Sequence, residues 1–192
     1  MTEWYCFKKK GADWVKYFEI QDSPELKYAP QLKNWYGTFD VRDIRIDTFP
    51  KLPERQLFTI EPCENTVFTD IILFPFLLVS PMVKEVIEMY REHCYFRIVI
   101  LLDQFNKESR LYYLPVLDET SDIQLQRIQY KDGENIPGTF NEEREKIEMD
   151  RNLFWIKDLQ KRHIILSLDM VESLIRRGVT GPGFCEVELY SK

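Results

Sequence analysis

Ser80 and Ser167 each close an apolar run, where a serine can serve as a nucleophile or as a helix cap. Neither sits in Gly-x-Ser-x-Gly, and both are followed by apolar residues at helical spacing, so both read as caps. His93 and His163 are the only histidines, and Cys6, Cys63, Cys94 and Cys185 form no Cys-x-x-Cys pair. That scatter predicts neither a zinc site nor a disulfide framework, and the thiols are expected to be reduced. His163 opens an apolar strand and reads as a structural histidine. Asp118, Glu119 and Asp122 cluster after a strand. Held in a cleft beside a histidine they would do acid–base work, whereas on a loop they are merely solvated. Residues 178–183 are glycine-rich, but they follow a helix and precede a strand, the reverse of a phosphate-binding loop. No catalytic, cofactor-binding or metal-ligating residue is therefore predicted.

The elements that would position these groups can be read from apolar spacing. Trp4–Phe7 and Trp14–Ile20 read as strands, with a turn at Asp22-Ser23-Pro24. Phe39, Val41, Ile44 and Ile46 almost alternate, as in a strand bulged near Asp43. Phe76–Val79 reads as a buried strand and is followed by Ser80, Pro81 and a helix carrying Met82, Val83, Val86, Ile87 and Tyr90, with His93 and Cys94 near its end. Phe96–Leu102 and Leu111–Leu117 predict a hairpin. Ile123–Tyr130 alternates, with turns at Lys131–Gly133 and Ile136–Gly138. Asn141–Asp150 is a charged run, expected to be a solvated helix or loop. Leu153–Ile156, His163–Leu166 and Phe184–Tyr190 read as strands. Ser167 opens a second helix with Met170, Val171, Leu174 and Ile175, which Gly178 stops. The layout of strand, serine and helix thus occurs twice, at Phe76–Tyr90 and Ile164–Gly178. It is open to reading as a degenerate internal duplication or as two ordinary β-to-α transitions. The expected fold class is α+β: a mostly antiparallel sheet with two or more packed helices. Residues 1–192 form one domain in this reading, with an aromatic- and proline-rich β part (1–70) and an α+β part (71–192).

A chain of 192 residues, 44% hydrophobic, can bury a core, and its most apolar run, Ile71–Val79, is far too short to span a bilayer. The first residues lack the order of a signal peptide, so a cytoplasmic protein is expected. A net charge of −6 disfavours nucleic acid and anionic membrane as partners and favours a basic protein. Tyrosine and tryptophan, enriched at interface hot spots, number 10 and 4. These features point to binding rather than catalysis, with Asp118, Glu119, Asp122, Glu142 and Glu143 as the candidate partner-contacting residues. The rival is an enzyme whose site joins the 118–122 carboxylates to a histidine, and a third possibility is an adaptor module.

Three stretches carry a resemblance. They are Leu77–Ser80 leading into a helix, Leu111–Asp118 (LYYLPVLD), and Ile164–Ser167 running through Leu174–Phe184 with its Gly-x-x-Gly-x-x-Phe ending. Over about residues 70–190 the chain resembles a family of bacterial immunity proteins from polymorphic toxin systems, once catalogued as a domain of unknown function. The resemblance implies a cytoplasmic protein that neutralises a cognate toxin domain by direct contact, and the acidic charge would suit a basic toxin, for instance a nuclease. It brings no catalytic residues or cofactor.

Overall fold

The computed structural model describes residues 16–23, 28–33, 35, 40–90, 93–131, 134–136, 145–157 and 161–192. The expected strand at Trp4–Phe7, residues 132–133 and 137–138 of the two expected turns, and the candidates Glu142 and Glu143 lie outside these residues. Among them are two α-helices, α1 (Pro81–Met89) and α2 (Leu168–Arg176). Each begins at the serine read as its cap. The Ser80 hydroxyl accepts from the Val83 amide and the Ser167 hydroxyl from the Met170 amide, both at 3.4 Å, which satisfies an amide the first helical turn leaves unpaired. Val83, Val86 and Ile87 of α1 and Met170, Val171 and Leu174 of α2 are buried, as the apolar spacing predicts. Gly178 ends α2 at φ +70°, a conformation glycine adopts without penalty.

The strands are β1 (Tyr17–Asp22), β2 (Leu32–Lys33), β3 (Arg55–Ile60), β4 (Ile71–Ile72), β5 (Leu78–Val79), β6 (Tyr95–Asp103), β7 (Glu108–Val116), β8 (Glu119–Thr120), β9 (Ile123–Arg127), β10 (Gln129–Lys131), β11 (Glu134–Ile136), β12 (Leu153–Lys157), β13 (Arg162–Ser167) and β14 (Pro182–Ser191). Two six-stranded sheets result, ordered β8-β12-β13-β1-β14-β9 and β2-β3-β6-β7-β5-β4, with β10 and β11 as a separate pair. Both are mostly antiparallel, so the protein is α+β. The parallel exceptions are β12 with β8 and β3 with β6. Each sheet takes strands from both sides of residue 70.

The first sheet curls. Its edge strands β8 and β9 are separated in the chain by Ser121 and Asp122 alone, and β9 comes into contact with β12. Three peptide units span at most about 11 Å, so the two edges must approach one another. We call it the barrel sheet. The second, the open sheet, keeps its edges β2 and β4 apart.

The two sheets share a wiring. In the open sheet β5 leads through α1 to β6, with β7 lying antiparallel between them. In the barrel sheet β13 leads through α2 to β14, with β1 lying antiparallel between them. Each unit also carries an antiparallel neighbour outside its first strand, β4 on β5 and β12 on β13. The doubling of strand, serine and helix in the sequence is therefore a doubling of topology. The helices touch each other, and one cluster of buried residues runs through both units, from Phe58, Leu101 and Leu114 through Val86 and Met170 to Phe18, Leu166 and Trp155. A second joint lies at the turn after α2. The Thr180 amide and hydroxyl donate to the Asp70 carboxylate at 2.9 and 2.8 Å, and Gly181, at φ +114°, lies so close to β4 that a Cβ there would sit 2.7 Å from the Ile71 carbonyl oxygen.

Three expectations are corrected. Residues 41–43 form a 3-10 turn and not a bulged strand: Asp40 accepts from the Arg42 amide and pairs with its guanidinium, closing a local bond that an extended chain could not make. The strand before Ser80 is confined to Leu78 and Val79, since 74–76 form a bend around a cis Phe74–Pro75 bond. Helix α1 ends at Met89, so His93 and Cys94 follow it and do not belong to it. The β6–β7 hairpin is as expected. The Asp103 carboxylate accepts from the Phe105 and Asn106 amides at 3.0 and 2.9 Å, and Lys107 takes φ 58°. Of the charged run, residues 145–150 contain no helix; Lys146 bridges to Tyr190 on β14.

Candidate functional site

Alternation along β1 sends Phe18 and Ile20 outward to the shared core and Tyr17, Glu19 and Gln21 to the inside of the barrel sheet. The inside is lined by Tyr17, Ile123, Phe154, Ile156, Ile165, Val187 and Leu189, a separate buried cluster. Tyr17 meets Phe154 edge-on at 6.0 Å, and its hydroxyl donates to the Met149 carbonyl and accepts from the Met149 amide, so that the 145–149 segment is held against this side.

Glu19 stands in the middle of that lining. Its cross-strand neighbours are Ile165 and Cys185, and the residue is 1% exposed. A lone carboxylate there would be prohibitively desolvated. Four bonds compensate it. Arg127, from edge strand β9, donates from Nε at 2.7 Å and Nη2 at 3.1 Å; His163 of β13 contributes Nδ1 at 2.7 Å and Gln21 its amide at 3.2 Å. Burial pushes the Glu19 carboxyl up, but the bonds from His163, Arg127 and Gln21 outweigh it and bring the pKa down to about 2. Glu19 is therefore ionised at neutral pH and has no proton to give, so the proton in the His163 contact resides on Nδ1. The other ring nitrogen, Nε2, is not engaged by Glu19. Next to this trio, burial pushes the Cys185 thiol up, which keeps it a neutral S–H and a poor nucleophile.

A cavity of about 260 Å³ opens beside the trio, lined by Ile123, Gln124, Leu125, Arg127, Ile156, His163 and Lys192. Ile123, Leu125 and Ile156 supply its apolar lining, and Arg127, His163 and Lys192 its nitrogen donors. Lys192 is oriented by donation from its ammonium to the Ser121 carbonyl.

The carboxylates singled out in the sequence are placed elsewhere. Asp118 pairs with Arg151 at 3.4 Å; Glu119 pairs with Arg162 at 2.7 Å and Lys157 at 3.8 Å. Asp122 is exposed and accepts from Ser121. The carboxylate that meets a histidine is Glu19, and one signal for it was available: a charge between Phe18 and Ile20 in an apolar strand. Among the described residues no three His, Cys, Asp or Glu side chains are grouped to hold a metal ion. No described helix is long and apolar enough to cross a membrane.

The open sheet contributes a different surface. On the side away from the shared core, Leu57, Ile100 and Leu111 stand directly opposite one another on β3, β6 and β7. Leu57 is 59% and Leu111 42% exposed, and Ile98, Leu102 and Tyr113 extend the row above and below. Arg55, which faces Ile98 across the ladder, is an exposed charge on its margin, whereas Glu108 and Arg110 fall on the opposite face of β7, where Arg110 lies over Phe68. The chain matches no protein-family model and no curated protein.

Proposed function

We propose that this protein acts by binding, as an immunity protein that neutralises a bacterial toxin domain through direct contact, and that the open sheet supplies the centre of that contact. The observation that carries the reading is the exposed row Leu57–Ile100–Leu111 on a backbone that is rigid by virtue of its ladder. Strands about 4.8 Å apart, each contributing about five residues, give a face of roughly 250 Å² with an apolar centre. That is about a third of the roughly 800 Å² that a standard interface buries on each side. The proportion suits an apolar centre ringed by polar contacts, and Arg55, Thr59 and Ser109 stand on that face at its margin, where such a ring would run. The resemblance over residues 70–190 supports the toxin as the occupant, and the net charge of −6 supports a basic one. Asp122 and the partly engaged Asp118 and Glu119 belong to the barrel sheet and act, in this reading, on encounter and not on the final contact.

The test is co-expression with the product of the neighbouring gene, followed by toxicity and pull-down assays. Survival of the host and co-purification at equal stoichiometry support the reading, and Leu57→Lys with Leu111→Lys should abolish both while leaving a folded protein. A double variant that protects as well as the parent removes the open sheet from the contact. A parent that neither protects nor co-purifies removes the immunity reading altogether.

A further inference from the structure

We infer that the mouth of the barrel sheet is a binding site for a small oxyanion, a carboxylate or a phosphate, independent of whatever docks on the open sheet. The cavity of about 260 Å³ equals the liquid volume of roughly eight or nine waters, the size of a small metabolite and well short of a peptide. Its polar side is one-signed. Arg127, His163 and Lys192 supply it, and among the described residues the carboxylate that engages the first two, Glu19, lies beneath the surface at 1% exposure. Glu19 engages Nε and Nη2 of Arg127 and Nδ1 of His163. The atoms it leaves are Nη1 of the guanidinium and Nε2 of the imidazole, and both parent side chains line the cavity. Because the buried carboxylate already holds both groups in place, a ligand meets donors whose rotamer freedom has been given up on folding, which lowers the entropic cost of binding. The planar guanidinium, a ring nitrogen and a lysine ammonium converging from separate strands match the several acceptor oxygens of an oxyanion. Ile123, Leu125 and Ile156 form the opposite wall and would take an apolar body. Barrel mouths are places where such sites recur. In a chain of net charge −6 an unspecific attraction of anions is not expected, so binding here would be local.

The full chain carries two histidines, so the imidazole nitrogens give a direct readout by ¹H–¹⁵N NMR. Inorganic phosphate and malonate are titrated separately at constant ionic strength set by chloride. The expected result is a saturable shift of the His163 Nε2 signal with one or both probes while His93 stays put. Saturation by one probe and not the other identifies phosphate or carboxylate as the chemistry. Lys192 is exposed, so Lys192→Gln should fold normally and weaken the dissociation constant about tenfold, as expected for loss of one charge-assisted hydrogen bond. The inference is overturned if neither probe saturates, if both histidines drift together, or if Lys192→Gln binds as the parent does.

Discussion

In both units a strand, a capping serine and a helix lead to a parallel strand one place over, yet the two sheets are finished in opposite ways. The barrel sheet curls until its edges approach and encloses an ionised Glu19 with its partners. The open sheet leaves Leu57 and Leu111 to water. A shared topology therefore determines how the helices and the common core are packed, and says nothing about the far face of either sheet. On those faces the polarity is the reverse of a simple inside-out rule: charge is buried in one and apolar surface exposed in the other. Both exceptions are the places where function is to be sought.

The sharpest way to break the comparison is at Glu19. Glu19→Ala leaves the half-exposed Arg127 guanidinium and the more buried His163 ring without their shared acceptor and should cost about 2–3 kcal/mol in denaturant unfolding, the screening of Arg127 by water keeping it below the penalty for a fully buried pair. Acid titration gives the same contrast in another form. A carboxyl ordinarily near 4.5 is held at about 2 in the fold, so the native state binds fewer protons than the unfolded chain between those values. Its stabilisation is complete above about pH 4.5 and is lost as pH falls toward about 2. Glu19→Gln should remove that part of the acid limb, and an unchanged limb would show that Glu19 is not ionised in the fold.

The caps offer a finer comparison, since they occupy equivalent positions in the two units. Ser80→Ala should cost about 1 kcal/mol. Ser167→Ala should cost nearer 2 kcal/mol, because the Ser167 hydroxyl also donates to Asn152 at 2.7 Å and the residue is 4% exposed. Equal losses in thermal unfolding would mean that the second bond contributes nothing. The smallest change in stability, within about 0.5 kcal/mol, is expected from Leu57→Lys with Leu111→Lys. A large destabilisation by that pair would show that this face is packed in solution and not open.

How much of this could be read from the sequence follows from the range of the interactions. The helices, their serine caps, the Gly178 stop and the β6–β7 hairpin rest on contacts a few residues apart, and apolar spacing reveals them. The strand expected around Val41–Ile46 failed because a side-chain bond two residues long, Asp40 to Arg42, outweighed a faint alternation. The site was missed for the opposite reason. Glu19, Arg127 and His163 come from three strands widely separated in the chain, and the pairing of β1 between β13 and β14, with β9 on the far side of β14, brings them together. His163 was expected to be structural, and its bond to Glu19 fits that role while also placing its ring on the cavity. The carboxylates of Asp118 and Glu119 looked free because their partners Arg151 and Arg162 lie more than thirty residues on.

The origin of the central strand in each unit has a consequence for how the molecule is made. In the open sheet β7 follows β6 through a four-residue turn, so β5, β6 and β7 can associate once residue 116 has left the ribosome. The barrel sheet takes its central strand from the other end of the chain: Tyr17 pairs with Ser167 and Val187. During synthesis β1 emerges before the other described strands, and its neighbours β13 and β14 are the last two of them. Vectorial folding should therefore complete the open sheet first, and closing so long a loop should make the barrel sheet the slower step when the whole chain refolds.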